Sequence, residues 1–404
     1  MDSGAVFLKN FEDAANAPLT ELVATTMVEG LGAIGYDAMN LGAADLLLAP
    51  ELLRRLAATS PVPFLSANVV DGAGKSPFTR WIIKDFGGQR VGILGLAGKQ
   101  QLPVAPLPGR NLVVQDPIEA ARGAVEELRR TCRLVIVLSQ LGLEADVLLA
   151  RQVPGIDIIC GGFDHQATSP PRIEGTTLIL HSGAKGMRLG ALQIEILPGR
   201  GGAWTARTAA KGGEARLYTW QIVPLDANLP DHPALVAILD SYREKAHERQ
   251  IVQQVLAPPQ TPVANPAYVG AKVCGTCHPA QFAQWTGSKH AQALAALARK
   301  RQELEPACLR CHVTAYGEPD GYRPGAKDSA VLANVQCEAC HGFGREHRGK
   351  GKIRGPVAAA ICRRCHSTEN SPTFKYEPYL KMLGEHAARY FTRKNAPASA
   401  DPPR

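Results

Sequence analysis

Four pentapeptides of one pattern lie within residues 274–366: CGTCH (274–278), CLRCH (308–312), CEACH (337–341) and CRRCH (362–366). Each has two thiols three positions apart and a histidine directly after the second thiol. The thiols can each form a thioether with one vinyl group of the same porphyrin, and the histidine can then bind the iron as proximal ligand. The sequence therefore predicts four covalently attached haem c groups. The predicted attachment residues are Cys274, Cys277, Cys308, Cys311, Cys337, Cys340, Cys362 and Cys365, and the predicted iron ligands are His278, His312, His341 and His366.

Zinc is the main alternative for these cysteines, because Cys-x-x-Cys is also a common zinc-binding pattern. Zinc needs the paired thiols but gives no reason for a histidine directly after every pair. Since that histidine is present in all four copies, the spacing favours haem.

The region from residue 270 onward has three further histidines, His290, His347 and His386, for the sixth coordination positions of four irons. The simplest interpretation is three haems with two histidine ligands each and one haem whose sixth position is open or differently filled. Met382 is a candidate for that position. Each spare histidine has the alternative of being a solvated surface residue, and the sequence assigns none of them to a particular iron.

The motifs and their flanking residues resemble the tetrahaem cytochrome c-554 family over roughly residues 266–391. The matching segments are Tyr268-Val-Gly270 with the first motif, Trp285 and Ser288-Lys-His290-Ala291; Val335 to Gly344 followed by His347; and Ser371-Pro372 with Phe374 after the fourth motif, then His386. The resemblance implies a mainly α, haem-packed domain with three bis-histidine haems. It also implies a five-coordinate haem on the second motif, with His312 as the proximal ligand of the open iron.

Positive charge is concentrated in the same region. Residues 270–404 carry 21 Lys and Arg against 11 Asp and Glu, a net of +10, whereas residues 1–269 carry 24 against 26, a net of −2. Haem propionates, about eight in number, would nearly neutralise this excess, and no stacking aromatic residues accompany the charges. We therefore discount nucleic acid and expect redox partner proteins; the sequence gives neither donor and acceptor nor the oligomeric state.

Residues 1–250 alternate between helix and strand patterns, which predicts a layered α/β domain. Helices are expected near 18–33, 51–59 and 117–132, the last one behind the N-cap residue Asp116, and a closing helix near 233–245. Gly87-Gly88 predicts a hairpin turn. The expected strands are 36–41, 64–70, 78–86, 90–96, 134–138, 156–160, 177–181 and 189–196.

This domain resembles the metallophosphatase domain of bacterial 5'-nucleotidases. The matching segments are Asp2 to Ala5, Tyr36 to Asp45, Ser66 to Val69, Val137 to Gly142 and Asp157 to His165. Such enzymes hold two metal ions with Asp, Asn and His ligands. The family's ligand positions are replaced here by Ala5, Ala43, Ala44, Gln140 and Phe163.

Only His165 matches a family ligand, and the strand with the family's first Asp and His would precede Met1. The resemblance therefore implies a metallophosphatase-like fold that is inactive. His165 and His181 are then most simply polar residues at strand ends.

The proline-rich stretch at 251–267 predicts a semi-rigid linker, and residues 392–404 predict a disordered tail. No apolar run is long enough for a transmembrane segment. Residues 1–10 lack the basic and apolar regions of a signal peptide. Because c-type haem is attached outside the cytoplasm, we expect a periplasmic or extracellular protein whose signal peptide was removed, or whose start is assigned too late.

These features predict an exported electron carrier with an inactive 5'-nucleotidase-like domain (1–250) and a tetrahaem domain (268–391). The first domain would dock or position a redox partner. One alternative is a redox enzyme that acts on a small nitrogen or oxygen species at an open haem near His312. The other is an active phosphoesterase with an attached cytochrome, which the substitutions argue against.

Overall fold

The computed structural model describes residues 1–7, 17–98, 112–164, 167–183, 186–197, 202–226, 228–256, 267–347, 357–367 and 370–383. The chain divides into two compact units, Met1–Tyr242 and Arg243–Arg404. In the described part of the chain, no helix is long and apolar enough to cross a membrane.

The first unit alternates helices with strands. Its helices are α1 (Ala17–Ile34), α2 (Pro50–Thr59), α3 (Pro117–Arg129), α4 (Leu143–Gln152) and α5 (Pro233–Leu256), the last of which continues into the second unit. Its strands are β1 (Met39–Asn40), β2 (Phe64–Leu65), β3 (Val69–Val70), β4 (Trp81–Phe86), β5 (Gln89–Leu96), β6 (Val113–Val114), β7 (Leu134–Ser139), β8 (Ile158–Gly161), β9 (Arg172–Glu174), β10 (Thr177–His181), β11 (Arg188–Ile196), β12 (Trp204–Ala206) and β13 (Arg216–Pro224).

A six-stranded sheet in the order β4-β5-β7-β8-β10-β9 forms the centre of this unit. The four inner strands are parallel, and β4 and β9 pair antiparallel at the edges. Strand β7 is buried along its whole length, as expected when both faces of a sheet are covered. Helices α3 and α4 cover one face through residues such as Leu128 and Leu149. The sheet β11-β13-β12 covers the other face through Trp204 and Tyr218.

This architecture confirms the predicted layered α/β domain. The Asp116 carboxylate accepts hydrogen bonds from the N–H groups of Ile118 (2.9 Å) and Glu119 (3.0 Å), as an N-cap should. Gly87 and Gly88 have φ values of +62° and +85° and join β4 to β5, so the predicted hairpin is also confirmed.

The predicted strand at 64–70 is broken into β2 and β3. The Ser66 N–H donates to Thr79 O, whereas the Ala67 N–H donates to Gly95 O. Because the chain changes its hydrogen-bonding partner there, one continuous strand cannot form. The predicted strand at 36–41 is similarly reduced to β1, and the strands β6, β9, β12 and β13 and the helix α4 were not predicted.

Helix α5 extends well beyond the predicted end at residue 245. Its sequence has no glycine or proline between Ala234 and Ala257, so nothing stops the helix earlier. The first six residues of the predicted linker at 251–267 are therefore helical, and residues 257–266 lie outside the described residues. The predicted tail at 392–404 also lies outside them.

The second unit is mainly α, as predicted, and its helices are short. They are α6 (Ala271–Cys277), α7 (Pro279–Thr286), α8 (Ala293–Ala298), α9 (Pro306–His312), α10 (Cys337–His341), α11 (Ala359–Arg363) and α12 (Tyr376–Met382). Few hydrophobic side chains are buried among its described residues beyond 270: Ala271, Ala293, Leu297, Leu309, Val313, Leu332 and Leu380. The polypeptide of this unit therefore supplies little apolar core of its own.

Candidate functional site

Each Cys-x-x-Cys-His pentapeptide lies on a helical turn. We name them motif 1 (274–278, on α6), motif 2 (308–312, on α9), motif 3 (337–341, on α10) and motif 4 (362–366, at the end of α11). In motif 4, the N–H groups of Cys365 and His366 both donate to Cys362 O, which continues the helical turn. Residues three apart lie on one face of a helix, so the two thiols of a motif can reach the same side of one porphyrin.

Two pairs of histidines face each other at closely similar distances. The ring centroids of His278 (motif 1) and His347 are 6.1 Å apart, and those of His290 and His366 (motif 4) are 6.2 Å apart. Two imidazoles on opposite sides of one metal, with metal–nitrogen bonds of about 2 Å, have centroids about 6 Å apart. Each pair joins one motif histidine to one of the spare histidines, so the residues present fit an iron held between them.

Hydrogen bonds orient two of the motif histidines. His312 Nδ1 donates to Ala293 O over 2.8 Å, and His366 Nδ1 lies 3.2 Å from Ser371 Oγ. A partner on Nδ1 fixes the ring and leaves Nε2 for a metal. Burial lowers the pKa of His366 and of His290, which favours the neutral imidazole that binds iron.

The other predicted ligands are His312, His341, His386 and the candidate Met382. His341 is described at the end of α10, whereas His386 lies outside the described residues. The Met382 side chain is 80% exposed. The assignment of a second ligand to motifs 2 and 3 therefore remains a prediction.

Thiols of different motifs lie beside one another. A hydrogen bond with Cys274 lowers the pKa of Cys337 to about 7 and raises that of Cys274. Burial, followed by the nearby Cys311, raises the pKa of Cys365 to about 12. Burial, followed by Cys362, raises the pKa of Cys340 to about 11. Motif 1 is thus next to motif 3, motif 3 next to motif 4, and motif 4 next to motif 2.

Glu338, between the cysteines of motif 3, ties motif 3 to the segment before motif 1. Its buried carboxylate accepts hydrogen bonds from the N–H groups of Val269 (3.0 Å), Gly270 (2.8 Å) and Gly344 (2.8 Å). The Gln336 side-chain oxygen accepts a further hydrogen bond from the N–H of Ala271, the first residue of α6. The sequence reasoning gave neither side chain a role; an acidic residue inside an attachment motif was the available signal.

In the first unit, the backbone adopts an unusual conformation at two positions where the resemblance predicts replaced metal ligands. Ala5 has φ +63° and Phe163 has φ +79°, in the left-handed region that costs non-glycine residues free energy. The family's ligands at these positions are Asp and His, which neither alanine nor phenylalanine can replace. The chain therefore keeps a strained backbone that no described metal ligand uses.

Asp45 now holds the loop that contains Ala5. Its fully buried carboxylate accepts hydrogen bonds from the N–H groups of Ala5 (2.8 Å), Val6 (2.8 Å), Phe7 (2.9 Å) and Gly42 (2.9 Å). Burial raises its pKa to about 6 despite these donors. Because both carboxylate oxygens accept hydrogen bonds from backbone N–H groups, they are not available to a metal ion.

Gln140 occupies the position of a family histidine and is almost completely buried. Its Nε2 lies 3.5 Å from Gly4 O, and its amide oxygen lies so close to Gly42 that a side chain at that glycine would overlap it. The amide thus fills space between these two glycine loops. Across the described residues, no cluster of three or more His, Cys, Asp or Glu side chains is arranged to hold a metal.

His181, which was predicted to be a polar residue at a strand end, lies at the end of β10 but is buried. His181 Nε2 lies 2.8 Å from Asp146 Oδ2, and Asp146 Oδ1 accepts a hydrogen bond from Ser139. Asp146 is the middle residue of this hydrogen-bonded series, and all three residues are inaccessible to solvent. The serine therefore does not contact the histidine, and the arrangement is not a nucleophile with its base. His165, the one predicted family ligand, lies outside the described residues.

Comparisons with known proteins divide the chain in the same way. Residues 273–342 match the family described as cytochrome c554 and c-prime. Cytochrome c-554 of Nitrosomonas europaea is 33% identical over 111 residues, which is 24% of this chain and 47% of that protein. The predicted resemblance and the haem-binding class of the C-terminal region are therefore confirmed.

The N-terminal region is similar to 5'-nucleotidases. The bovine (Bos taurus) enzyme is 27% identical over 237 residues, which is 55% of this chain and 40% of that protein. The crystal structure of a 5'-nucleotidase precursor from Thermus thermophilus matches with a TM-score of 0.50 and 22% identity, over 61% of this chain and 49% of that one. The predicted metallophosphatase-like fold is confirmed, and the chain spans less than half the length of each of these relatives.

Proposed function

We propose that the chain is a four-haem electron carrier whose 5'-nucleotidase-like domain is not catalytic. The observation that carries the proposal is the placement of His347 opposite His278 and of His290 opposite His366, at the separation a bis-histidine iron requires. Residues from distant segments would meet at this distance for no structural reason if motifs 1 and 4 held zinc or formed disulfides.

The residues of the chain would each do a defined part of this work. The eight motif cysteines bind the haems covalently, the motif histidines bind the irons, and Ala293 O and Ser371 orient two of those histidines. When bound, haem supplies reversible one-electron chemistry with a potential set by its ligands and surroundings. By this proposal the pairs His278/His347 and His290/His366 are the axial ligands of two irons. His341 and His386 are the ligands of a third iron, and His312 binds the fourth iron, whose sixth position is open.

The neighbouring thiols support transfer of electrons rather than four isolated sites. Cys274 is hydrogen-bonded to Cys337 and Cys311 to Cys365, and Cys340 lies close enough to Cys362 to be influenced by its charge, so all four motifs are connected in one series. Attachment points this close would bring redox groups within a single compact unit, as a carrier between two partner proteins requires.

The first unit, by this proposal, positions a redox partner. Buried aliphatic side chains cover both faces of its central sheet, so the fold is kept. Ala5, Gln140 and Phe163 stand where the family has metal ligands, so the catalytic metals are not expected to bind. A chain that lacks residues 1–242, checked first for an unchanged haem spectrum, should exchange electrons with its natural partner more slowly; an unchanged rate would contradict this role. We further propose that the protein is exported to the periplasm or beyond, since haem c is attached there.

The test is to produce the chain in a host with c-type maturation machinery, to quantify haem by pyridine haemochrome and to record optical and EPR spectra. We expect four haems per chain, three low-spin and one high-spin, that take up and release electrons reversibly. A protein with no haem would overturn the proposal. Four low-spin haems would instead show that Met382 or another group closes the fourth site.

Two variants sharpen the ligand assignment. His347→Gly should convert one additional haem to the high-spin form, because its iron loses the imidazole opposite His278. The matched variant His232→Gly changes an exposed histidine of the first unit and should leave all spectra unchanged. A redox enzyme would be revealed by turnover of nitrite, hydroxylamine or nitric oxide at the high-spin iron, and a phosphoesterase by metal-dependent release of phosphate from nucleotides; we expect neither.

A further inference from the structure

Three arginines stand between the paired cysteines of motifs 2 and 4. Arg310 is the residue before Cys311, and Arg363 and Arg364 fill both positions between Cys362 and Cys365; all three are exposed. The ion pairs seen among the described residues of the second unit join Arg301 to Glu244, Arg323 to Asp328 and His247 to Glu303. They involve none of these three arginines, which we name the arginine patch.

The structure brings the two motifs of the patch together. Cys311 Sγ lies 4.0 Å from Arg364 O, and the same thiol lies within hydrogen-bonding distance of the Cys365 thiol. The turns that carry the arginines are therefore adjacent. Three guanidinium groups without described carboxylate partners then concentrate positive charge at one place on the surface.

Motifs 1 and 3 do not have this character. Gly275 and Thr276 are uncharged, and motif 3 has Ala339 beside Glu338, whose carboxylate is buried against backbone N–H groups. Motifs 2 and 4 thus have arginines between their cysteines. Motifs 1 and 3 have uncharged residues there, except for Glu338, whose carboxylate is hydrogen-bonded to backbone N–H groups. The two ends of the motif series therefore differ in what they can attract.

The haem itself would not cancel this difference. Cysteines bind the vinyl groups of a porphyrin, whereas the anionic propionates are attached at the opposite edge of the ring. Charges between the attachment cysteines consequently lie on the edge of the haem that carries no propionate. Guanidinium groups bind carboxylates in a planar, two-pronged geometry, so the patch fits a surface rich in Asp and Glu.

We propose that the arginine patch is the docking surface for an acidic redox protein, which would exchange electrons at the motif 2 and motif 4 end of the chain. The proposal rests on the electron-carrier function argued above. It assigns different partners to the two ends of the series, because an acidic surface would be attracted at one end only. Complementary charge of this kind mainly sets encounter rate and orientation.

The test uses the full-length ferric protein and poly-L-glutamate of about 20 residues as a probe of acidic surfaces, titrated calorimetrically at low ionic strength. The variant Arg310→Gln/Arg363→Gln/Arg364→Gln should bind about tenfold more weakly than the parent, since it loses three charge-assisted contacts. The matched variant Lys245→Gln/Lys327→Gln/Lys381→Gln removes the same charge from exposed lysines outside the motifs and should weaken binding by no more than about threefold.

Hydrogen exchange with and without the probe locates the contact. We expect added protection in peptides that cover 306–312 and 359–367. Equal losses of affinity in the two triple variants, or protection confined to the basic stretch 345–354, would overturn the proposal. The single variant Arg310→Gln, with an expected loss of about threefold, answers the question if the triple variant fails to mature.

Haem content is measured on the same samples. Full haem with no difference between the variants would contradict the docking surface alone, whereas absence of haem from the parent would contradict the electron-carrier function. A triple Arg→Lys variant, which keeps the charge but not the planar geometry, should retain most of the binding.

Discussion

The first unit buries aliphatic side chains in layers on both faces of its central sheet, whereas the second unit buries few beyond residue 270 in the part that is described. Their functional residues show the reverse. Four complete attachment motifs are present in the second unit, while the first has Ala5, Gln140 and Phe163 where metal ligands are expected. The first unit therefore has an apolar core that needs no bound group, whereas the second unit, with little apolar core of its own, needs a bound group to supply the missing apolar contacts.

The largest expected effect comes from withholding haem. If the chain is made in a host without c-type maturation, the second unit should lose its ordered structure, because its polypeptide cannot offset the conformational entropy of folding with so little buried apolar area. Amide exchange across 267–383 should approach that of an unfolded chain.

The first unit serves as the control in the same sample. Strands β5 and β7 should remain protected, because their partners come entirely from that unit. Native-like protection of 267–383 without haem would refute the contrast between the units.

A smaller but still large effect is expected at Glu338. Replacing Glu338 by alanine removes the acceptor for the N–H groups of Val269, Gly270 and Gly344 and should lower the free energy of unfolding by about 4 kcal/mol. Guanidinium unfolding followed by haem absorbance measures this. The exposed Glu346 is the matched position, and Glu346→Ala should change stability by less than about 0.5 kcal/mol; equal effects would mean that the buried carboxylate does not hold the unit together.

Asp45 should make the stability of the first unit depend on pH. Burial raises its pKa from 3.8 to about 6, so the protonated form is favoured in the folded state. Its contribution to stability is complete below the unfolded value and is lost as the pH rises through about 6. Between pH 4 and pH 7 the parent should lose about 2.4 kcal/mol that an Asp45→Asn variant does not lose.

Tryptophan fluorescence can follow this unfolding, since Trp81, Trp204 and Trp220 lie in the first unit. The exposed Asp231 provides the comparison, and Asp231→Asn should keep the pH dependence of the parent. Parallel pH profiles for the parent and the Asp45→Asn variant would rule out this role for Asp45.

The smallest expected effect comes from the left-handed backbone at Ala5. Ala5 has φ +63°, and glycine adopts this conformation without the cost that alanine incurs. Ala5→Gly should therefore stabilise the first unit by about 1 kcal/mol in thermal or urea unfolding. The same substitution at Ala58, exposed within α2, should destabilise it by about 1 kcal/mol, so the two variants should move in opposite directions.

Local patterns predicted the parts of the molecule that local chemistry determines. Asp116 marked the start of α3, Gly87-Gly88 marked a hairpin, and the spacing of cysteine and histidine marked each haem motif. The strand break at Ser66 was not predictable in this way, because it depends on Thr79 and Gly95 competing for neighbouring N–H groups. The end of α5 was predicted too early. The predicted linker began at residue 251, although the prolines begin only after Ala257 and residues 251–256 form helix readily.

The same distinction applies to the site. The spare histidines were identifiable from their number alone, but the placement of His347 opposite His278 and of His290 opposite His366 depends on how distant segments fold. The role of Glu338 was not predicted, because its carboxylate binds three backbone N–H groups of other segments. Every residue except proline has such a group, so the sequence does not show which ones the carboxylate will meet. His181 was interpreted by its position at a strand end, and its burial against Asp146 is a tertiary property.

The neighbouring thiols have a consequence for how the protein is made. In an oxidising compartment, adjacent cysteines such as Cys274 and Cys337 or Cys311 and Cys365 can be oxidised to disulfides between motifs, and each such crosslink would remove two attachment thiols at once. If the chain is exported and carries four haems, as proposed, the two cysteines of each motif must stay reduced until the porphyrin of that motif is attached. Because the haem-free unit is expected to be unfolded, this risk is greatest in chains that carry only some of their haems and have begun to bring the remaining motifs together.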